Sequence, residues 1–477
     1  MQKKFLGNLF FLIVLNLLVK PFWILGIDRA VQNNLGQEVY GEYFALLNFS
    51  FLLNIVLDFG ITNFNNRNIA QNQQLFNKYL VKLLSMKFIL GGLYVLLTFG
   101  AALLIGYDSR QWEILGILLL NQFLVSLVLF LRSNFSGLFY FKTDSIISVL
   151  DRLLLIVFCG VLLLYKDGDY LTVKSFVLAQ SAAYGLVAIV ALLILLRLKE
   201  KIKLKFRWAY SVVIFRQSLP FALLVLLMTI YTRTDSVMIE RMLPNGKQSA
   251  GIYAQSYRIL ESLNMIAFLF STLLLPIFSK LLKQKESVKE VVNSSSKLLA
   301  LYSISAFVII SIYHKEILNL MYTDVNHQGE MVLMFLSFCI IPISGTYIYG
   351  TLLTANGSLR SLNKMAVFGV GLNVVLNFIL IPKYEVMGAV VATVVTQLLT
   401  FLAQFFISKK LIGDWSYSIT ASVLVYLVVA YGLVMWLHSE FTIGISIAIS
   451  LGAMLVLSLL LKLFVWQHFK ELLRSRA

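Results

Sequence analysis

The stretch Lys82–Gly106, KLLSMKFILGGLYVLLTFGAALLIG, decides the fold class. From Phe88 onward it carries neither a charge nor a proline. A helix needs about 20 apolar residues to cross hydrocarbon. In lipid every backbone polar group must be satisfied within the structure, which leaves helices or closed barrels. No apolar–polar alternation of the barrel kind is visible, so the segment reads as a spanning helix. The rest of the chain repeats this pattern. Of its 477 residues 59% are hydrophobic and 13% charged, with 6 prolines, and mean hydropathy is +0.84. A soluble domain is about 45–50% apolar and about a quarter charged. This excludes an ordinary soluble enzyme, a disordered tail and a collagen-like fibre.

Fourteen apolar segments can be read: 6–27, 42–61, 82–106, 112–131, 145–165, 172–196, 217–240, 252–276, 298–318, 330–354, 364–381, 386–407, 417–437 and 441–464. The first is expected to stay as a span, because it is long for a signal peptide and lacks a small-residue cleavage site. The connections near Pro382 and Ser439 each admit a tight helical hairpin or one long helix. Cys159 and Cys339 lie in apolar runs and read as core residues. His314, His327, His438 and His468 have no ligand spacing, so no metal site is expected.

The net charge of +17 is large for a chain with little aqueous surface. Sorting the 40 basic residues by loop places 28 on one side and 8 on the other, with Lys20, Arg152, Arg233 and Arg258 left inside spans. Lys82 and Lys87 count with the 28, at the end of their span. The positive-inside rule makes the richer side cytoplasmic, with both termini there. The most basic loop, Arg197–Arg216, divides the chain nearly in half and reads as an anchor at anionic headgroups, with no nucleic-acid role.

The halves echo one another. Gly41-Glu42-Tyr43 opens the second segment, and Gly251-Ile252-Tyr253 opens the eighth, 210 positions later. Small-residue turns with a basic residue follow the fourth segment (Gly137, Lys142) and the tenth (Gly357, Arg360). A parallel duplication follows, with an axis along the membrane normal. The expected architecture is an all-α polytopic membrane protein: a six-helix lobe (1–197), a basic cytoplasmic linker (198–216), a second six-helix lobe (217–411), and a two-helix appendix with a tail (412–477). The outward loops are short, which leaves no room for the catalytic acids of a membrane glycosyltransferase or polymerase. A transporter is expected, with no catalytic residue and no cofactor.

Ionisable groups inside a membrane cost about 2.5–3.5 kcal/mol on insertion scales and mark function by default. Lys20, Arg233 and Arg258 each read as about 10 Å below the outer surface. Together they would form a positive cavity suited to a diphosphate, which arginine can clamp bidentately. Each has a plainer reading. Lys20 can snorkel, and Arg258 can pair with Glu261 three positions on. Arg233 and Asp235 are two apart and cannot face each other, so Arg233 needs another partner or a ligand. Asp235 and Glu240 are solvated or bind a coupling cation. Asp58 either orders a helix end or takes part in coupling. Pro21, next to Lys20, should kink its helix and suits a bending gate. Tyr231, Tyr253 and Tyr257 could stack on sugar rings or form an interfacial belt.

Leu35-Gly36-Gln37-Glu38-Val39-Tyr40-Gly41-Glu42-Tyr43, with Leu57-Asp58-Phe59-Gly60-Ile61 and Asn66-Arg67-Asn68, resembles the N-terminal pattern of the polysaccharide-biosynthesis flippases. These are the Wzx-type O-antigen and capsule repeat-unit exporters of the MOP superfamily. Thr234-Asp235-Ser236 with Gly251-Ile252-Tyr253 resembles their seventh-to-eighth helix stretch. Members often carry Arg after that Asp, where this chain has Ser236 and places Arg233 before it. The resemblance implies a bacterial inner-membrane transporter that flips an undecaprenyl-diphosphate-linked oligosaccharide by alternating access, coupled to H+ or Na+. It also implies partnership with membrane lipids and with the polymerase and glycosyltransferases of the same pathway. A lipid II-type flippase or a MATE-like drug/cation antiporter is the alternative. An antiporter would favour a lumen of acids and apolar groups.

Overall fold

The structure, a computed structural model, describes residues 18–71, 73–165, 170–197, 208–413, 417–461 and 463. The expected first span lies outside them up to residue 17, the basic linker up to 207, and so does nearly all of the tail. The described chain is all-helical, a polytopic membrane protein whose expected fourteen spans are an approximate count. Among the described residues twelve segments are long and apolar enough to cross a membrane. By contacts the chain groups into two compact units, Met1–Gly251 and Ile252–Ala477. That grouping follows contacts; the division at 197, 216 and 411 follows sequence repetition and is a separate statement.

In the first unit a π-helical turn, Trp23–Asp28, directly follows Pro21 and leads into α1, Arg29–Leu52. α1 is broken at Gly36, whose φ of 78° and ψ of 168° are open mainly to glycine. The Tyr40 hydroxyl donates to Asp28 Oδ2, 2.8 Å away and twelve positions earlier. A straight helix would separate these residues by about 18 Å, so the chain folds back at Gly36. The expected loop over 28–41 is therefore a single-residue hinge between helical arms. The reason is local: glycine's left-handed conformation reverses the chain without a loop.

The second expected span, 42–61, is likewise corrected. It ends at Leu52, passes through a 3-10 turn, Asn54–Leu57, and restarts as α2, Ile61–Gln71. Phe59 and Gly60 take left-handed conformations between them, with φ of 39° and 81°. The remaining helices are α3 (Phe76–Ile105), α4 (Ser109–Gly137), α5 (Phe141–Leu164), α6 (Val173–Arg197) and α7 (Trp208–Met242). α4 starts on a capping box in which Asp108 accepts from Gln111 N and Gln111 answers to Asp108 N. Ile61, Leu80, Phe130 and Val187 join α2, α3, α4 and α6 in one core. On α3, Leu96 and Leu104 are 73% and 91% exposed, as a helix face in hydrocarbon allows. α1 is different: Gln32, Gln37, Glu42 and Asn48 are all buried.

α8, Gly246–Gln284, runs from the first unit into the second. The second unit continues with α9 (Lys289–Ile312), α10 (His314–Met321), α11 (His327–Ser337), α12 (Ile340–Ala355), α13 (Leu359–Tyr384), α14 (Val386–Ile412), α15 (Tyr417–Glu440) and α16 (Ile443–Leu460). The connections near Pro382 and Ser439 are both tight hairpins. Phe278, Val292 and Leu352 form one core of this unit. Val308, Tyr426, Val434 and Met454 dock α15 and α16 on α9.

Candidate functional site

A cavity of about 400 Å³ lies in the first unit, lined by Phe51, Asn54, Asp58 and Thr62, by Ser126 on α4, and by Ala222, Val225 and Thr229 on α7. The spacing of the last three is helical, and continuing it one turn reaches Arg233 on the same face. The Arg233 guanidinium donates to Asn48 Oδ1 at 3.1 Å and lies 4.8 Å from the centre of the Phe51 ring. Phe51 lines the cavity, so Arg233 packs on a wall residue, one helical turn beyond Thr229. The contacts of Arg233 thus include α1. Asp235 itself is buried.

Beside this cavity is a cation that the sequence reading assigned to a span end. Lys87 on α3 is buried, 1% exposed. Its ammonium donates to Asp58 Oδ1, to the Leu57 carbonyl at 2.9 Å and to Ser126 Oγ at 2.9 Å. Asp58 Oδ1 also accepts from the backbone N–H and hydroxyl of Thr62, at the start of α2. Asp58 therefore pins the left-handed turn to α2 and α3, and it faces the cavity as a carboxylate with a bound counter-charge. Lys87 joins the four in-span cations as a fifth. The signal that could have found it was Asp58, since a carboxylate inside an apolar run requires a cation.

Lys20 goes elsewhere. Its charge interacts with Arg152, Asp151 and Arg132. Arg152 also donates to the Tyr184 hydroxyl at 3.0 Å, and Asp151 lies 3.8 Å from Arg152. Because the helical arm continues to Leu35, Lys20 stands fifteen residues, about 22 Å, from its end. Arg233 is nine residues, about 14 Å, from the end of α7 at Met242. Arg258 is twelve residues, about 18 Å, from the start of α8 at Gly246. The helices extend past the loops assumed for them, so the three cations lie at unequal distances from their helix ends.

In the second unit Arg258 Nη1 meets Glu261 Oε2 at 2.8 Å, the i,i+3 pair open to it from the sequence. Tyr253 is buried and stacks on Tyr257 at 5.6 Å; in the first unit Tyr231 is also buried.

At the end where α4 begins and α7 ends, the polar groups form a network. Glu240 Oε1 accepts from Gln111 Nε2 at 3.0 Å, and its other oxygen lies 2.7 Å from Arg241 Nε. Arg241 returns a bond to Gln111 Oε1 and covers the Tyr107 ring at 4.0 Å. Glu42 on α1, 3% exposed, pairs with Lys247 at 2.8 Å and faces Arg110 at 3.9 Å. Among the described residues no cluster of His, Cys, Asp and Glu could hold a metal ion.

A sequence profile of polysaccharide biosynthesis proteins matches residues 5–282, more than half of the chain. A MatE profile matches residues 220–379. The chain is 23% identical over 200 residues to the capsular polysaccharide biosynthesis protein CapF of Staphylococcus aureus, covering 42% of this chain and 50% of that one. It is 28% identical over 198 residues to an uncharacterized membrane protein of Methanocaldococcus jannaschii, covering 41% and 46%. The matched region thus spans about half the length of these curated relatives. Among solved structures, the lipid II flippase MurJ in an inward closed conformation superposes with a TM-score of 0.69 at 16% identity, covering 92% of this chain and 96% of that one. An inward-facing multidrug resistance MATE family transporter of the MOP superfamily gives 0.64 at 14%, covering 82% and 94%. At these identities the structures show the shared fold.

Proposed function

The chain belongs to the polysaccharide biosynthesis protein family, flippase-type membrane transporters of the MOP superfamily, and from that premise we propose that it flips a lipid-linked oligosaccharide. The cargo is an undecaprenyl-diphosphate-linked repeat unit, moved from the cytoplasmic to the outer leaflet of a bacterial inner membrane. Both termini are cytoplasmic in this reading. The supporting observation is Arg233 against the cavity-lining Phe51, on the face of α7 that carries Ala222, Val225 and Thr229. A diphosphate loses its hydration on leaving the headgroup layer, and a fixed guanidinium in a low-dielectric site offsets that loss. Lys20 and Arg258 are further cationic contacts along the route, with Tyr231, Tyr253 and Tyr257 as sugar contacts and Pro21 as a bending point. Coupling to H+ or Na+ is assigned to Asp235 and Glu240, with Glu261 and Asp58 as further candidates. The polymerase and glycosyltransferases of the same pathway are the proposed partners.

Arg233→Ala should abolish surface-glycan export and cause a lipid-linked intermediate to accumulate, while the protein still inserts in the membrane. Export at the parental rate by this variant would contradict the assignment. The MatE match over 220–379 supports a second reading, an antiporter of organic cations. Arg233 separates the two, because a cation against the cavity wall repels such a substrate.

A further inference from the structure

The Gly41 and Gly251 motifs that revealed the duplication have a structural role that the proposed cargo site does not use. A Cβ on Gly41 would fall on the carbonyl oxygen of Lys247, and a Cβ on Gly251 would fall on the carbonyl oxygen of Gln37. Gln37 and Lys247 are themselves 210 positions apart, as are the two glycines. The contact is therefore reciprocal: each repeat's glycine receives the carbonyl of the other repeat's residue four positions earlier. This is the reciprocal form of a two-fold contact, made between α1 and the first two turns of α8.

The same place is closed by charge. Glu42, next to Gly41, is buried against Lys247 at 2.8 Å with Arg110 behind it. Gln32 Nε2 donates to the Gly251 carbonyl at 3.0 Å. The Glu240–Gln111–Arg241 network adjoins it at the end of α7. The cavity lies on the other side of Arg233: Thr229 is eleven residues from Glu240, about 16 Å along α7.

We propose that this reciprocal glycine contact, latched by Glu42 and Lys247, is the seal that closes the cavity toward the outer face and parts during transport. The side rests on the orientation given under the proposed function; the seal itself rests on the geometry. Backbone-to-backbone contact leaves no gap for water, and burial of Glu42 makes its ion pair the bond that opening must break.

The test is thiol accessibility in intact cells. Cys159 and Cys339, both buried, are replaced by Ala, and Thr229→Cys places one thiol in the cavity. A membrane-impermeant maleimide added outside should label it slowly. Glu42→Gln, Lys247→Met and Gly251→Ala should each speed that labelling on the order of tenfold. Glu113→Gln, which breaks the exposed Glu113–Lys174 pair at the start of α4, should leave it unchanged. Glu42→Gln keeps the side chain's shape and serves if Gly251→Ala does not fold. Unchanged labelling in both charge variants would overturn the seal. Faster labelling only from the cytoplasmic side, in inverted vesicles, would support the seal and overturn the orientation.

Discussion

Lys87 shows what a single side chain does here that sequence position conceals. A lysine near the end of a span counts with the cations of the adjoining loop, which is how its sequence position places Lys87. In the fold it is enclosed, because Asp58 lies 29 positions before it and Ser126 lies 39 after it. No linear spacing links the three residues; the left-handed turn at Phe59 and Gly60 brings them together. Arg233 is the converse case. Helical spacing calls for a partner beyond its own helix, which is legible; that the partner is Asn48, 185 positions away, is not. Removing Lys87 leaves the 29%-exposed Asp58 carboxylate without its counter-charge, which costs about 1–3 kcal/mol. Lys87→Met should therefore lower the unfolding temperature in detergent sharply, and Asp58→Asn added to it should recover part of the loss. A double variant no more stable than the single one would show that the pair is not what holds this turn.

Among whole elements, the existence of the spans was legible and their ends were not. Apolar runs specify burial in lipid, but a helix stops where local backbone chemistry stops it. The continuation to Leu35 depends on Gly36 alone. The tenth span is interrupted at Phe338 and Cys339, with Pro342 in the first turn of α12, where proline is tolerated. The appendix helices show how an element is docked. α15 is tied to α10 by His438 Nε2 and Glu316 Oε1 at 3.1 Å, and Tyr313 meets both the His438 ring and Ser446 of α16. Partial burial pushes the Glu316 carboxyl up, but its own backbone N–H bond, His438 and His314 outweigh that and hold it below the ordinary range. A lowered carboxyl contributes stability that is complete above its unfolded value, about 4.3. That contribution fades as pH falls through the lowered value. For a partly exposed pair it amounts to roughly 0.5–1 kcal/mol. The thermal stability gap between the parent and Glu316→Gln should close as pH is lowered from 6 to 3.5. A gap independent of pH would remove the tether's ionic character.

For the molecule as a whole, composition carried the membrane assignment and the all-helical fold class, and the 210-residue echo picked out two glycines that meet in the fold. The echo was legible because the matched glycines are held by backbone contacts that tolerate no side chain. The helix ends from which the cations are counted were less legible, because much of the presumed loops 28–41 and 241–251 is helix. The central claim is movement of a lipid-linked, diphosphate-bearing oligosaccharide. Its most direct test is purified protein in proteoliposomes holding a polyprenyl-diphosphate oligosaccharide, with outer-leaflet glycan read by lectin or enzymatic capture. The account predicts that the parent protein exchanges the cargo between leaflets, that Arg233→Ala does not, and that an organic cation is not accumulated by either. Uptake of the organic cation by the parent, without leaflet exchange of the oligosaccharide, would contradict it.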